Sequence, residues 1–295
     1  NVQSMASMFE AAGYNSTNMT LNLGNNFDTS KVLNMESMFT NTGYLSPTFE
    51  LNLGDNFNTI SVTNMKNMFS NTGYSSTKMT LDLKDKFDTS SVTNMNAMFY
   101  QTGYSSPIFT LNLGNKFNTF NVTDTAKMFS HTGYLSRVMT LDLGNKFNTS
   151  NVTVMFGMFY GTGYSSPVFT IDLGDNFDTT KVTDMNSMFS EFAVTSTILT
   201  LDLGNKFNTA NCRNMQAMFF RTGESSPVFT LNLGSNFDTA NVSNMANMFR
   251  RTGYKSTVFN INLGDKFNTS NVIDMNRMFD TPSSENPNFT LNLGD

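Results

Sequence analysis

The chain has little of what usually fixes chemistry or covalent structure. Its 295 residues include one cysteine, Cys212, one histidine, His131, and no tryptophan. A lone cysteine excludes an intramolecular disulfide and any multi-thiolate metal site, so packing must hold the chain. Cys212 takes the place of a Val in an apolar stripe and reads as a buried thiol acting as a small hydrophobe. His131 stands where other copies of a repeat carry Asn71, Gln101 or Arg221, and reads as a solvated loop residue. No Ser-His-Asp or Cys-His pairing, phosphate-binding Gly loop or zinc spacing occurs, so the chain is expected not to be an enzyme and to hold no cofactor. The net charge of -5 argues against nucleic acid or an anionic membrane surface as partner. No apolar run reaches about 18 residues, so no segment is expected to span a bilayer.

What is present is a repeat. The stretch SVTNMKNMFSNTGYSSTKMTLDLKDKFDTS at 61–90 recurs every 30 residues from residue 1, in nine full copies and a tenth that stops at Asp295. A fixed period of this size signals a solenoid, in which each copy contacts only its neighbours. Residues 1–295 therefore read as one solenoid. It starts and stops inside a repeat, as an excerpt of a longer protein would.

Within a copy, Val62, Met65, Met68 and Phe69 are spaced as an apolar stripe at helical period. Thr63, with Thr93, Thr123, Thr153, Thr183 and Ser243, is placed as an N-cap. Gly73 then falls at C′, with Tyr74 against Phe69 as in a Schellman motif. The spacing predicts a helix of two to three turns. Next, Met79, Leu81 and Leu83 alternate with Thr80 and Asp82, which predicts a strand with one buried face. Stacked copies give a parallel sheet at about 4.8 Å per strand. Phe87 faces inward from the return segment, and Asp88 or its Asn counterparts supply an Asx turn into the next copy.

All 22 methionines fall at three repeat positions, which makes the core one of Met and Phe. A second period lies inside the first: Pro47, Pro107, Pro167, Pro227 and Pro287 are spaced by 60. It reads either as duplication of a two-copy unit or as a two-turn period on one lateral face that matches a partner lattice. Residues 191–195 and 281–286 break the pattern, as drift, an approaching terminus or a local binding loop would.

Two polar columns are expected on the outer strand face, one of Thr80, Thr110, Thr140, Thr170 and Thr200, the other of Asp82, Asn112, Asp142, Asp172 and Asp202. Such columns bond along a sheet, and a flat polar face of this kind could bind glycans, proteins or ice. Asp82, Asp85 and Asp88, and Asp172, Asp175 and Asp178, are calcium candidates by oxygen density, without a dedicated loop. Asn-x-Ser/Thr sequons, as at Asn15, Asn121, Asn151, Asn241 and Asn288, follow from the abundance of Asn, Ser and Thr.

The string NVTNMxxMF … LDLxxFDTSxVTNM resembles the BspA-like leucine-rich-repeat bacterial surface proteins, and more narrowly the repeat of Listeria-type and mycoplasma surface proteins. The resemblance covers the whole chain. It implies a leucine-rich-repeat-like solenoid of about ten repeats, each a parallel strand and a short helix. It also implies an extracellular protein at a bacterial cell surface, an adhesin or stalk whose partner is a protein or glycan of a host or neighbouring cell. Two rivals stand beside that reading: a self-assembling structural filament, and an ice- or carbohydrate-binding Thr/Asn ladder.

Overall fold

The computed structural model describes residues 1–84, 86–174 and 176–294. It is a parallel β-solenoid with a 30-residue coil. The strands, one per coil, are β1 (Asn18–Asn22), β2 (Thr48–Asn52), β3 (Lys78–Asp82), β4 (Ile108–Asn112), β5 (Val138–Asp142), β6 (Val168–Asp172), β7 (Ile198–Asp202), β8 (Val228–Asn232), β9 (Ile261–Asn262) and β10 (Leu291–Asn292).

The strand and return segments form as their pattern predicts. In β3 the buried Met79 and Leu81 alternate with exposed Lys78, Thr80 and Asp82. The strand ends in an Asx turn, Asp82 Oδ1 accepting the Lys84 N–H at 3.1 Å. Phe87 is fully buried, and Asp88 Oδ1 accepts the Ser90 N–H at 3.0 Å to turn the chain into the next coil.

The expected helix does not form, and no helix occurs among the described residues. Residues 66–75 make overlapping turns instead. Met68, Ser70 and Thr72 donate their N–H groups to the carbonyls of Met65, Asn67 and Phe69, three residues back. Between them, Met65, Asn67, Phe69 and Asn71 donate to Asn94, Asn96, Met98 and Tyr100 of the next coil at 2.7–3.0 Å. An α-helix would return every N–H to its own segment, four residues back. Here every second one crosses to a neighbour, which requires left-handed residues: Asn67 (φ 56°), Asn71 (φ 57°) and Gly73 (φ 58°). The first two positions are left-handed in every coil, mostly without glycine.

The apolar spacing is satisfied all the same, because Val62, Met65, Met68 and Phe69 all point into the core. Thr63 is not a cap; its hydroxyl donates to Leu33 O of the preceding coil at 3.2 Å, and Thr93 donates likewise to Thr63 O. Tyr74 packs not on Phe69 but between Tyr44 and Tyr104.

Stacking identical coils puts identical residues face to face. Phe9, Phe39, Phe69 and their successors form a ladder through to Phe279, with ring centroids 5.3–5.9 Å apart. Buried threonines tie coils through the backbone. Thr89 Oγ1 donates to Asn118 O at 2.7 Å and accepts the Asn118 N–H at 2.6 Å, and Thr102 Oγ1 donates to Phe69 O at 2.7 Å. Cys212 is fully buried, and burial pushes its thiol up to about 12.

The sheet is not continuous. Strands pair as β1–β2, β3–β4, β5–β6, β7–β8 and β9–β10, each parallel and in register. Leu83 donates its N–H to Asn112 O at 3.0 Å, as Leu23, Leu143, Leu203 and Leu263 do at their own pairs. Among the described residues no such bond leaves Leu53, Leu113, Leu173 or Leu233. The two-copy sequence period thus has a structural counterpart in ribbons of two strands.

The residue that opens each strand supplies a reason. Phe49 lies beneath Gly43 of its own coil and reaches under Gly73 of the next, so its ring spans the junction between ribbons. Phe109 spans Gly103 and Gly133 in the same way, whereas Met79 and Met139 are among the nearest atoms at their own Gly73 and Gly133 and not at Gly103 and Gly163; Leu199 is the exception, reaching Gly223 within the β7–β8 ribbon. An odd coil that carries Phe259 instead of Met has its strand β9 cut to two residues.

Residues 191–195 keep this course while repacking it. Phe192 enters the core edge-on to Phe169 and Phe189, Ala193 takes the left-handed turn (φ 46°), and the strand opens with Leu199 in place of Phe or Met.

Gly103 has φ 58°, and a Cβ there would lie 2.4 Å from Phe109 Cδ2. Gly103→Ala should therefore cost roughly 2–4 kcal/mol in denaturant unfolding, summing left-handed strain and overpacking. Ala217, left-handed at φ 53° with only a methyl to lose, should behave oppositely: Ala217→Gly should stabilise by about 0.5–1 kcal/mol.

Candidate functional site on the outer sheet face

The outer face carries three columns, since residues two apart along a strand share a face. Thr80, Thr110, Thr140, Thr170 and Thr200 form the middle column, all exposed. Thr170 Oγ1 donates to Thr140 Oγ1 at 3.2 Å, within the β5–β6 ribbon. Asp82, Asn112, Asp142, Asp172 and Asp202 form the second column, also exposed. Each spends a side-chain oxygen on the N–H two residues later, at 2.8–3.1 Å, so this column closes turns as well as facing outward. Asn112 Nδ2 also donates to Asp82 Oδ1 at 3.0 Å.

The third column was not anticipated. Ile108, Val138, Val168, Ile198, Val228 and Val258 stand beside the threonines, 39–66% exposed. A run of exposed β-branched residues on one face is unlike scattered surface hydrophobics, which need no explanation. The sequence held a signal for it. The residue before the buried strand opener is Val or Ile in six successive coils, so the alternation begins one residue ahead of that opener.

Four of the six calcium candidates are engaged in turns. Asp82, Asp88, Asp172 and Asp178 each accept a backbone N–H in their own Asx turns. Asp85 and Asp175 lie outside the described residues. Among the described residues no group of three or more His, Cys, Asp or Glu side chains could hold an ion together.

A second surface feature runs along the turns. Tyr14, Tyr44, Tyr74, Tyr104, Tyr134 and Tyr164 stack with centroids 4.4–4.8 Å apart. Burial, and then the neighbouring Tyr44 and Tyr104, push the Tyr74 hydroxyl up to about 12. The ladder stops where Val194 and Glu224 replace Tyr. There Arg221 lies over the Tyr164 ring and pairs with Glu191 at 2.8 Å and with Glu224, which also holds Arg251 at 2.6 Å.

His131 is not the solvated loop residue its variable position suggests. It sits left-handed at φ 55°, half-buried against Tyr134 and edge-on to Tyr160, with its Nδ1 3.0 Å from Ser130 Oγ. Burial, and then the charge of Lys127, lower its pKa to about 4.

A family model described as Mycoplasma protein of unknown function, DUF285, matches residues 3–137, 72–193, 105–227 and 162–292, overlapping along nearly the whole chain. The chain belongs to this family. No curated protein and no solved structure matches it. Among the described residues of this DUF285 chain, no helix is long and apolar enough to cross a membrane.

The neutral His131 gives a pH test. Below about pH 6.5 the unfolded chain takes up a proton there that the folded chain refuses until about pH 4, so stability falls as pH drops through that window. His131→Asn, the residue found at the equivalent Asn41 and Asn71, should flatten this share of the fall. Melting temperatures of both proteins at pH 7 and pH 4 check it; equal losses would refute it.

Proposed function

We propose that the chain is the repetitive part of a non-enzymatic, BspA-like surface protein, working outside a bacterial cell as an adhesin or stalk. The observation that carries this reading is the three-column outer face. Val or Ile, Thr, and Asp or Asn recur there in register, coil after coil, on a backbone whose own bonds hold it rigid. A solenoid of this kind presents one chemistry many times along a line, which gives avidity from individually weak contacts. The resemblance of the repeat to bacterial surface repeats supports the same reading.

The exposed aliphatic column also favours a second reading, a filament subunit in which two copies pack laterally by these faces. Thr-bearing flat faces suit ice or carbohydrate as well.

A Val138→Asp, Val168→Asp, Ile198→Asp triple variant changes only exposed side chains and should keep the wild-type melting temperature within a few degrees. Labelled wild-type protein should adhere to cultured epithelial or bacterial cells, and the triple variant at least tenfold less, about 1.4 kcal/mol. Equal adhesion by the two would sink the adhesin reading. Concentration-dependent fibres of the wild type alone, seen by electron microscopy, would move the assignment to the filament.

A further inference from the structure

The junctions between ribbons open the outer face into clefts. They measure about 530 Å³ over β2 and β3, 370 Å³ over β4 and β5, and 520 Å³ over β6 and β7. In the third, Phe169, Ile171 and Leu173 make an apolar floor, and Thr170, Thr200 and Asp202 stand on the rim. The β4/β5 cleft repeats this with Leu111 and Leu113 below and Thr110, Thr140 and Asp142 above. Position 21 of the coil records the opening: Leu81, Leu141 and Leu201 are buried to 1% or less, while Leu51 and Ile171, facing a junction, are half-buried.

Each cleft also offers backbone. In a parallel sheet a strand's N–H and C=O groups alternate between its two neighbours, so the half directed at a junction lacks its ladder partner. Leu173 shows this: among the described residues its N–H has no partner, while Leu143 one coil earlier donates to Asp172 O at 3.3 Å. Unpaired strand edges ordinarily invite another strand. Here the Cα atoms of β6 and β7 still approach within 8 Å, whereas an inserted strand would need about twice 4.8 Å.

What fits is a ligand that lies on the opening, presents both donors and acceptors, and keeps an apolar surface for the floor. The β4/β5 and β6/β7 rims carry Asp142, Asp172 and Asp202 without a basic partner, while the β2/β3 cleft balances Glu50 and Asp82 with Lys78 and Lys84; with a net charge of -5 this disfavours polyanions. Three clefts spaced two coils apart, about 10 Å at the usual strand spacing, suit a polymer with its own regular repeat better than separate small molecules.

We propose that the junction clefts are repeated subsites for an uncharged linear polysaccharide lying along the solenoid axis. Sugar C–H faces rest on the Phe, Leu and Ile floor. Hydroxyls exchange hydrogen bonds with the Thr and Asx rims and with the unpaired main chain. The inference names the ligand class of the face described above and so rests on the adhesin reading.

The test is affinity electrophoresis of the full chain through gels containing amylose, dextran or soluble β-glucan, with heparin as the polyanionic control. At least one neutral polymer should retard the wild type. Phe109→Met with Phe169→Met installs the opener of Met79 and Met139, which should let the ladders close, and should weaken retardation at least tenfold. Thr140→Arg with Thr200→Arg blocks the rims without touching the core and should do the same, so a folding failure of the first pair leaves the second decisive. Retardation by no neutral polymer, by heparin alone, or equally of wild type and both variants overturns the proposal. Cell adhesion measured in parallel separates the two readings. Cells held equally by both variants would remove the clefts and leave the adhesin, while polysaccharide binding without cell adhesion would do the reverse.

Discussion

Everything in this molecule depends on alternate backbone N–H groups crossing from one coil to the next. Met65, Asn67, Phe69 and Asn71 each reach a carbonyl one coil on, and the pattern recurs in every coil that another follows. A crossing bond of this kind fixes the period absolutely, since one extra residue in a coil would misalign every later donor and turn side chains to the wrong face. That constraint explains why nine successive copies hold to 30 residues. It also explains why left-handed residues are tolerated at positions where side chains such as Lys127 and Arg221 must bear the strain. Strain of about 1–3 kcal/mol at a non-glycine left-handed residue survives only where the surroundings over-determine it. Here bonds and stacked rings on both sides do so.

The same register lets small polar residues do the work of a core. Thr89, Thr102 and their equivalents are buried, but each satisfies its hydroxyl on a neighbouring coil's backbone, which removes the cost of burying it. Asn and Asp close the turns after the strand, before the return and at Asn64, one side-chain oxygen to one N–H each time. Much of the chain's polarity is therefore structural, and the outer face is set apart by what remains: hydroxyls, aliphatics and the second oxygens of a carboxylate column.

The period, the strand, the inward Phe87 and the Asx return were legible in the sequence because each rests on local alternation or turn chemistry. The helix was misread because Val62, Met65, Met68 and Phe69 have a spacing that a ribbon of turns satisfies equally well. What separates the two is the destination of N–H groups, and no single copy carries that information. His131 was misjudged for a related reason: its neighbours Tyr104, Tyr134 and Tyr160 come partly from other coils. Of the candidate face, the Thr and Asx columns were visible as alternation, and the Val/Ile column was written just ahead of it. The clefts were not legible at all. The 60-residue proline period pointed at a two-coil unit, and what that unit does to the sheet shows only between coils: Thr77 N–H crosses the junction to Pro47 O, a bond a proline cannot donate inside a ribbon, and Phe49 and Phe109 reach under the next coil's glycine.

Ribbons of two strands also set how the molecule bears load. Within a ribbon, ladder bonds add to the turn and threonine bonds; between ribbons the strand ladder is replaced by one bond ahead of it, as from Thr77 N–H to Pro47 O at 2.9 Å, so every second junction is the weaker. In a one-dimensional array whose stability is a sum of neighbour terms, failure starts at the weakest interfaces. Drawn out by its ends, the solenoid yields in two-coil steps, each freeing 60 residues, about 200 Å of extended chain. A stack built this way lengthens in fixed increments while the coils that remain keep their shape.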